Sequence, residues 1–185
     1  VLPYLCGVIP GQMTIEGVRE RLGEPDISRG GVAFIIIPDK SRIDEVWGYD
    51  GIGIYFDDET VIALGAGLRA YELTLGEAVE TLGPPERIIL LQEEGALPGW
   101  EQARRADLAF FLWPSSGIHL FTTLYETQGV GLDEDEEVPP FTSELSINIL
   151  TAFEPCTLEE LESVFQGPYS PGPWTRWIDW PGMNE

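Results

Sequence analysis

The sequence predicts an α+β fold: two tandem helix-plus-antiparallel-sheet repeats forming one curved sheet with the helices on one side, plus a partial third repeat. Two observations predict it. A helix-sized pattern occurs three times, at residues 14–25 (TIEGVRERLGEP), 74–85 (TLGEAVETLGPP) and 157–168 (TLEELESVFQGP). A strand-sized pattern follows two of them: 47–55 (WGYDGIGIY) and 113–121 (WPSSGIHLF) share a Trp, a Gly four residues on, then Ile, a variable residue, an aliphatic and an aromatic. One such match is weak; three helix words, two of them followed by a common strand word, point to an internal repeat. The repeat divides the chain into residues 1–72, 73–155 with an acidic loop insertion, and 156–185, a third helix with a Trp- and Pro-rich tail.

Each element has its own reason. Residues 1–10 are apolar and read as a strand feeding the first helix. In the helix words Thr74 and Thr157 can cap the first turn, with Glu77 and Glu160 completing a capping box, whereas Thr14 has Gly17 at that position. Leu75, Ala78, Val79 and Leu82 then fall on one helical face, as do Ile15, Val18 and Leu22, and Leu158, Leu161, Val164 and Phe165. Gly23, Gly83 and Gly167 are placed to end the helices, with Pro25, Pro85 and Pro168 forbidding continuation.

In the first unit, 26–31 reads as a turn, 32–37 and 45–47 as strands, 51–57 and 60–64 as a hairpin about Asp57-Asp58-Glu59, and 65–67 as a bend or bulge. In the second, 87–92 reads as a strand, 93–99 as a loop and 101–106 as a short helix. There 107–113 and 117–124 read as paired strands, and 145–149 as a closing β-rich run. The acidic 131–140 segment reads as a solvated loop whose spacing fits no EF-hand. Trp174, Trp177 and Trp180 form an aromatic tail, either a cap folded over the sheet or a contact surface.

Composition narrows the partners. With 32 acids against 10 bases in 185 residues the net charge is −22, which argues against nucleic acid and anionic membranes and fits a basic protein partner or simple solubility. No apolar run reaches the roughly 20 residues of a membrane span. The absence of a visible leader favours a cytoplasmic chain over a periplasmic or secreted one. Cys6 and Cys156 allow one bridge, but two buried reduced thiols fit better.

The residues offer no catalytic constellation. His119 is the single histidine, on a strand between Ile118 and Leu120 and pointing to the face opposite theirs; alone it makes no zinc site. There is no nucleophile elbow, P-loop or dinucleotide fingerprint, so no enzyme, cofactor or metal is expected.

The words PGQMT at 10–14 with Val18, Leu22-Gly23 and Pro25, Trp47-x-Tyr49, and Leu73-Thr74 with Val79, Leu82-Gly83 and Pro85 resemble the SmpA/OmlA group of BamE-type outer-membrane assembly lipoproteins. They are also similar to the β-lactamase inhibitor protein (BLIP) type, a tandem duplication of such a unit. The resemblance spans residues 8–165 and implies one curved antiparallel sheet whose surface or loops bind another protein without catalysis. The expected function is a non-enzymatic binding module of inhibitor or immunity type. The alternative is a structural or assembly subunit. The expected contact residues are Trp47, Tyr49, Tyr55, Trp113, His119, Trp174, Trp177 and Trp180.

Overall fold

The computed structural model describes residues 7–24, 27–29, 32–36, 51–67, 73–91, 105–106, 108–124, 130–131, 137–165 and 175–184. The elements in chain order are α1 (Ile15–Leu22), β1 (Ile27–Arg29), β2 (Val32–Ile36), β3 (Gly51–Asp57), β4 (Thr60–Gly67), α2 (Leu75–Leu82) and β5 (Arg87–Leu91). They continue with β6 (Arg105–Ala106), β7 (Leu108–Trp113), β8 (Ile118–Thr123), β9 (Val130–Gly131), β10 (Phe141–Thr142), β11 (Ile149–Phe153), α3 (Leu158–Phe165), β12 (Thr175–Ile178) and β13 (Met183–Asn184). Among the described residues, nine strands form one sheet in the order β1-β2-β3-β4-β11-β8-β7-β5-β12. Every pairing in it is antiparallel. The class is α+β.

The helix ends follow their local chemistry. Thr74 and Glu77 form the reciprocal capping box, with Glu77 N–H donating to Thr74 Oγ1 at 3.3 Å and Thr74 N–H to Glu77 Oε2 at 2.9 Å. The Thr74 backbone N–H, and after it the Thr74 hydroxyl donating to the same Oε2 at 3.1 Å, hold the Glu77 carboxyl below the usual range. Thr157 and Glu160 repeat the box. At Thr14 the cap is one-sided, its hydroxyl accepting from Gly17 N–H at 3.2 Å. Gly23 and Gly83 close α1 and α2 at φ of 93° and 79°, a region that favours glycine.

The start of each of the first two helices is pinned to the chain entering a strand, β4 for α1 and β11 for α2. Ile15 N–H donates to Glu59 O and Val61 N–H to Met13 O. Leu75 N–H donates to Leu145 O and Ile147 N–H to Leu73 O. Val8, Ile15 and Val18 pack on Ile54, Val61 and Leu64. Leu75 and Ala78 pack on Ile88, Leu90, Phe111, Trp113 and Leu120. Residues opposite one another across β4 and β11, Leu64 with Ala152 and Ala66 with Leu150, share a face, so α1 and α2 cover the same side of the sheet.

Several expectations are corrected. The helices do not all lie on one side: Leu161 of α3 packs with Ile89 and Leu112, whose strand neighbours Ile88 and Phe111 face α2. Strand alternation therefore puts α3 on the opposite face. The cause is nonlocal. The chain leaving β11 is pinned by Cys156 N–H to Pro114 O at 3.1 Å, on a 3-10 turn at Pro114–Ser116, rather than to a closing strand. Arg105–Ala106, placed by sequence in a short helix, forms β6 and pairs with β9. Residues 65–67 continue β4 with no bulge; the ladder irregularity falls between Tyr55 and Phe56. The 145–149 run enters the sheet only at Ile149, because Leu145 and Ile147 are bonded to the start of α2.

The 57–60 hairpin forms as expected, Asp57 opposite Thr60. Asp58 and Glu59 take φ of 44° and 74° in the mirror-image turn that matches strand twist. The C-terminal tail closes the second half of the core. β12 adds to β5, β13 pairs with β10, and Trp180 stacks on Phe141 with ring centroids 6.0 Å apart. Arg87 is ion-paired with Asp179.

Candidate binding face of the sheet

Strand alternation sorts the sheet into two faces, and the one turned away from α1 and α2 carries the candidate site. Ile54 and Phe56 pack toward α1, so Tyr55 and Asp57 point the other way. Leu120 is buried toward α2, so His119 and Phe121 point the other way too. Across the rows of the ladder, Thr151 stands between Gly65 and His119, and Ile149 between Gly67 and Phe121. Glycine at 65 lets three side chains converge: a Cβ there would meet Thr151 Oγ1 at 3.5 Å, Tyr55 Cε2 at 3.7 Å and Ile149 Cγ2 at 3.8 Å.

The large hydrophobic side chains left exposed among the described residues are Tyr55 (41%), Ile62 (49%) and Ile149 (37%). They sit on the adjacent strands β3, β4 and β11. Next to them Phe110 packs against Phe121 with centroids 5.0 Å apart, and His119 lies between Phe110 at 6.0 Å and Phe153 at 5.9 Å. At the far side, Ile89, Leu112 and Trp177 are covered by α3 through Leu161. The face is thus closed at one side by α3 and open around the β4–β11 junction.

His119 is half-buried, and its burial pushes the imidazole from an ordinary 6.5 down to about 4. The ring is neutral at pH 7, so His119 adds no charge to the face. The unfolded chain takes up a proton here below about 6.5, and the folded chain only near 4. Stability from this group is therefore complete above pH 6.5 and is lost as pH falls through the window between the two values. The loss is on the order of 3 kcal/mol at most. Replacing His119 with Phe is expected to flatten the stability–pH curve between pH 6.5 and 4, measured by urea unfolding at each pH. Identical slopes for the two proteins would refute the burial argument.

The structure divides the eight expected contact residues. Tyr55 and His119 lie on the open face. Trp177 is half-buried beside Ile89 and Leu112, on the same face but in the cluster under α3. Trp113 is a correction: it is 2% exposed, its indole N–H donates to Gly83 O at 2.9 Å, and it belongs to the α2 core. Trp180 is half-buried and packs on that core, edge-on to Phe111 and stacked on Phe141, as the cap alternative for the tail has it. Trp47, Tyr49 and Trp174 lie outside the described residues. In the ladder, Ile52 stands opposite Ile35 and Ile118 opposite Trp113.

Sequence reasoning missed Phe110, Phe121, Ile149 and Phe153. The signal for Phe121 was present, since it shares the parity of His119. Nothing local marks Ile149, which is brought in by strand pairing. Among the described residues no cluster of His, Cys, Asp and Glu could hold a metal ion, and no helix is long and apolar enough to cross a membrane. Cys156 carries a free thiol, raised by burial and then by the carboxylates of Glu160, Glu86 and Glu154. The acidic run at 133–136 and Cys6 lie outside the described residues. No family model, no curated protein and no solved structure matches the chain.

Proposed function

We propose that the chain is a non-enzymatic protein-binding module of inhibitor or immunity type, built from a duplicated helix-and-sheet unit and docking its open sheet face on a basic protein. The carrying observation is the exposed Tyr55, Ile62 and Ile149 on adjacent strands of a chain with net charge −22. β3, β4, β8 and β11 contain no Lys or Arg, and the β3–β4 turn is Asp57-Asp58-Glu59. Large apolar and aromatic side chains desolvate at the centre of interfaces, and the surrounding charge steers the encounter.

The duplication is supported by register. Thr14 bridges Thr60 as Thr74 bridges Ser146. Tyr55 stands opposite Ala63 as Phe121 stands opposite Ile149, and Ile54 opposite Leu64 as Leu120 opposite Leu150. Ile27 stands opposite Phe34 as Arg87 stands opposite Leu112. In this correspondence Gly65 matches Thr151, and those two face each other at the middle of the β4–β11 pairing, as a two-fold relation between the units requires. The sequence resemblance to SmpA/OmlA and BLIP-type proteins points the same way, toward protein binding by a sheet.

The test is affinity capture from the native host with the wild type, Ile149→Asp, and Glu20→Gln on α1 as a control, each checked for folding by circular dichroism. A basic protein retained at low salt, released by high salt, kept by the control and lost with Ile149→Asp is the expected result. Equal capture by wild type and Ile149→Asp would reject the docking face.

A further inference from the structure

We propose that the open face receives an arginine side chain of the basic partner, its guanidinium lying against the Tyr55 ring and donating to the Asp57 carboxylate; this rests on the docking face proposed above. Tyr55 and Asp57 are two residues apart on β3, hence on the same face, roughly 7 Å apart along the strand. Both are exposed. Among the described residues Asp57 makes no ion pair. Asp58 and Glu59 follow at the turn, so the positive potential of a ligand is favoured at this end of the face.

The surroundings select guanidinium over ammonium. Tyr55 leans over Gly65, beside Ile149 and Thr151, so a cation on the ring sits over largely apolar floor. A Lys ammonium is a strongly hydrated point charge that loses water there. A guanidinium is planar and weakly hydrated, stacks on aromatic faces, and keeps its edge donors free for a carboxylate. The neutral His119 ring, held between Phe110 and Phe153, adds no repulsion. No base on β3, β4, β8 or β11 competes for the position.

The probes are two capped octapeptides, octa-arginine and octa-lysine, titrated into the full chain. Amide shifts of Tyr55, Gly65 and Ile149 are followed by two-dimensional NMR, so that diffuse binding elsewhere on the acidic surface is separated from binding here. The arginine peptide is expected to bind at these residues about fivefold more tightly than the lysine peptide. Tyr55→Phe keeps that ratio, Tyr55→Ala brings it to near one, and Asp57→Asn weakens the arginine peptide. Equal affinities for the two peptides, or a ratio unchanged by Tyr55→Ala, overturns the inference. If capture of the basic protein is still lost with Ile149→Asp, the docking face survives that result; if capture also persists, both fail.

Discussion

Ala152→Pro is expected to separate the two halves of the sheet. Ala152 stands opposite Leu64 on one side and Ile118 on the other, in the middle of β11, the strand that joins β4 to β8. Phe153 N–H donates to Gly117 O on the β8 side, so by alternation the N–H and C=O of Ala152 face β4. Proline removes that donor and leaves the facing Leu64 carbonyl unpaired in a buried strand. A lost bond of about 1 kcal/mol, a stranded buried acceptor at about 1–3 kcal/mol and the steric misfit of the ring sum to on the order of 4 kcal/mol. Against a total of about 5–15 kcal/mol this leaves a large unfolded fraction. Urea unfolding measures it. Ala152→Val, which keeps the N–H, separates the bond from the side chain. A proline variant within about 1 kcal/mol of wild type would mean that β4 and β11 are not joined as described.

Phe111→Ala is expected to cost about 3–5 kcal/mol. Phe111 is 0% exposed and meets Phe141 edge-to-face with centroids 5.0 Å apart, and Trp180 at 6.3 Å. The ring sits where α2, the sheet and the C-terminal tail converge, so its removal leaves a cavity that rigid neighbours on three sides cannot fill. A fall in melting temperature of about 10 °C follows for a chain of this size. Ile62→Ala, at a position 49% exposed, is the control and is expected to cost under about 0.5 kcal/mol. Similar costs at the two positions would place Phe111 outside the core.

What was legible in the sequence was local. Thr74 with Glu77, Thr157 with Glu160, Gly83 before Pro85, and the Asp58-Glu59 turn each state their geometry within four residues, and each forms. What was not legible is set by partners far along the chain. The side taken by α3 depends on the Cys156–Pro114 hydrogen bond, across a separation that no periodicity reports. The junction of β4 with β11 is a backbone match between a Gly/Ala-rich strand and ILTAF, with no side-chain signature of its own.

The same limit explains the site. Trp113 and Trp180 carried the aromatic signal of an interface, yet their indoles are spent on the core around Phe111 and Phe141. Tyr55 and His119 were readable from strand parity. Ile149 was not, because its place beside Tyr55 exists only once the two halves are paired.

The most direct measurement is hydrogen exchange on the chain, free and bound to the captured basic protein. Slowed exchange confined to β3, β4, β8 and β11, with α1 and α2 unchanged, is the predicted footprint. Protection of α1 and α2 with those central strands unaltered would contradict the account.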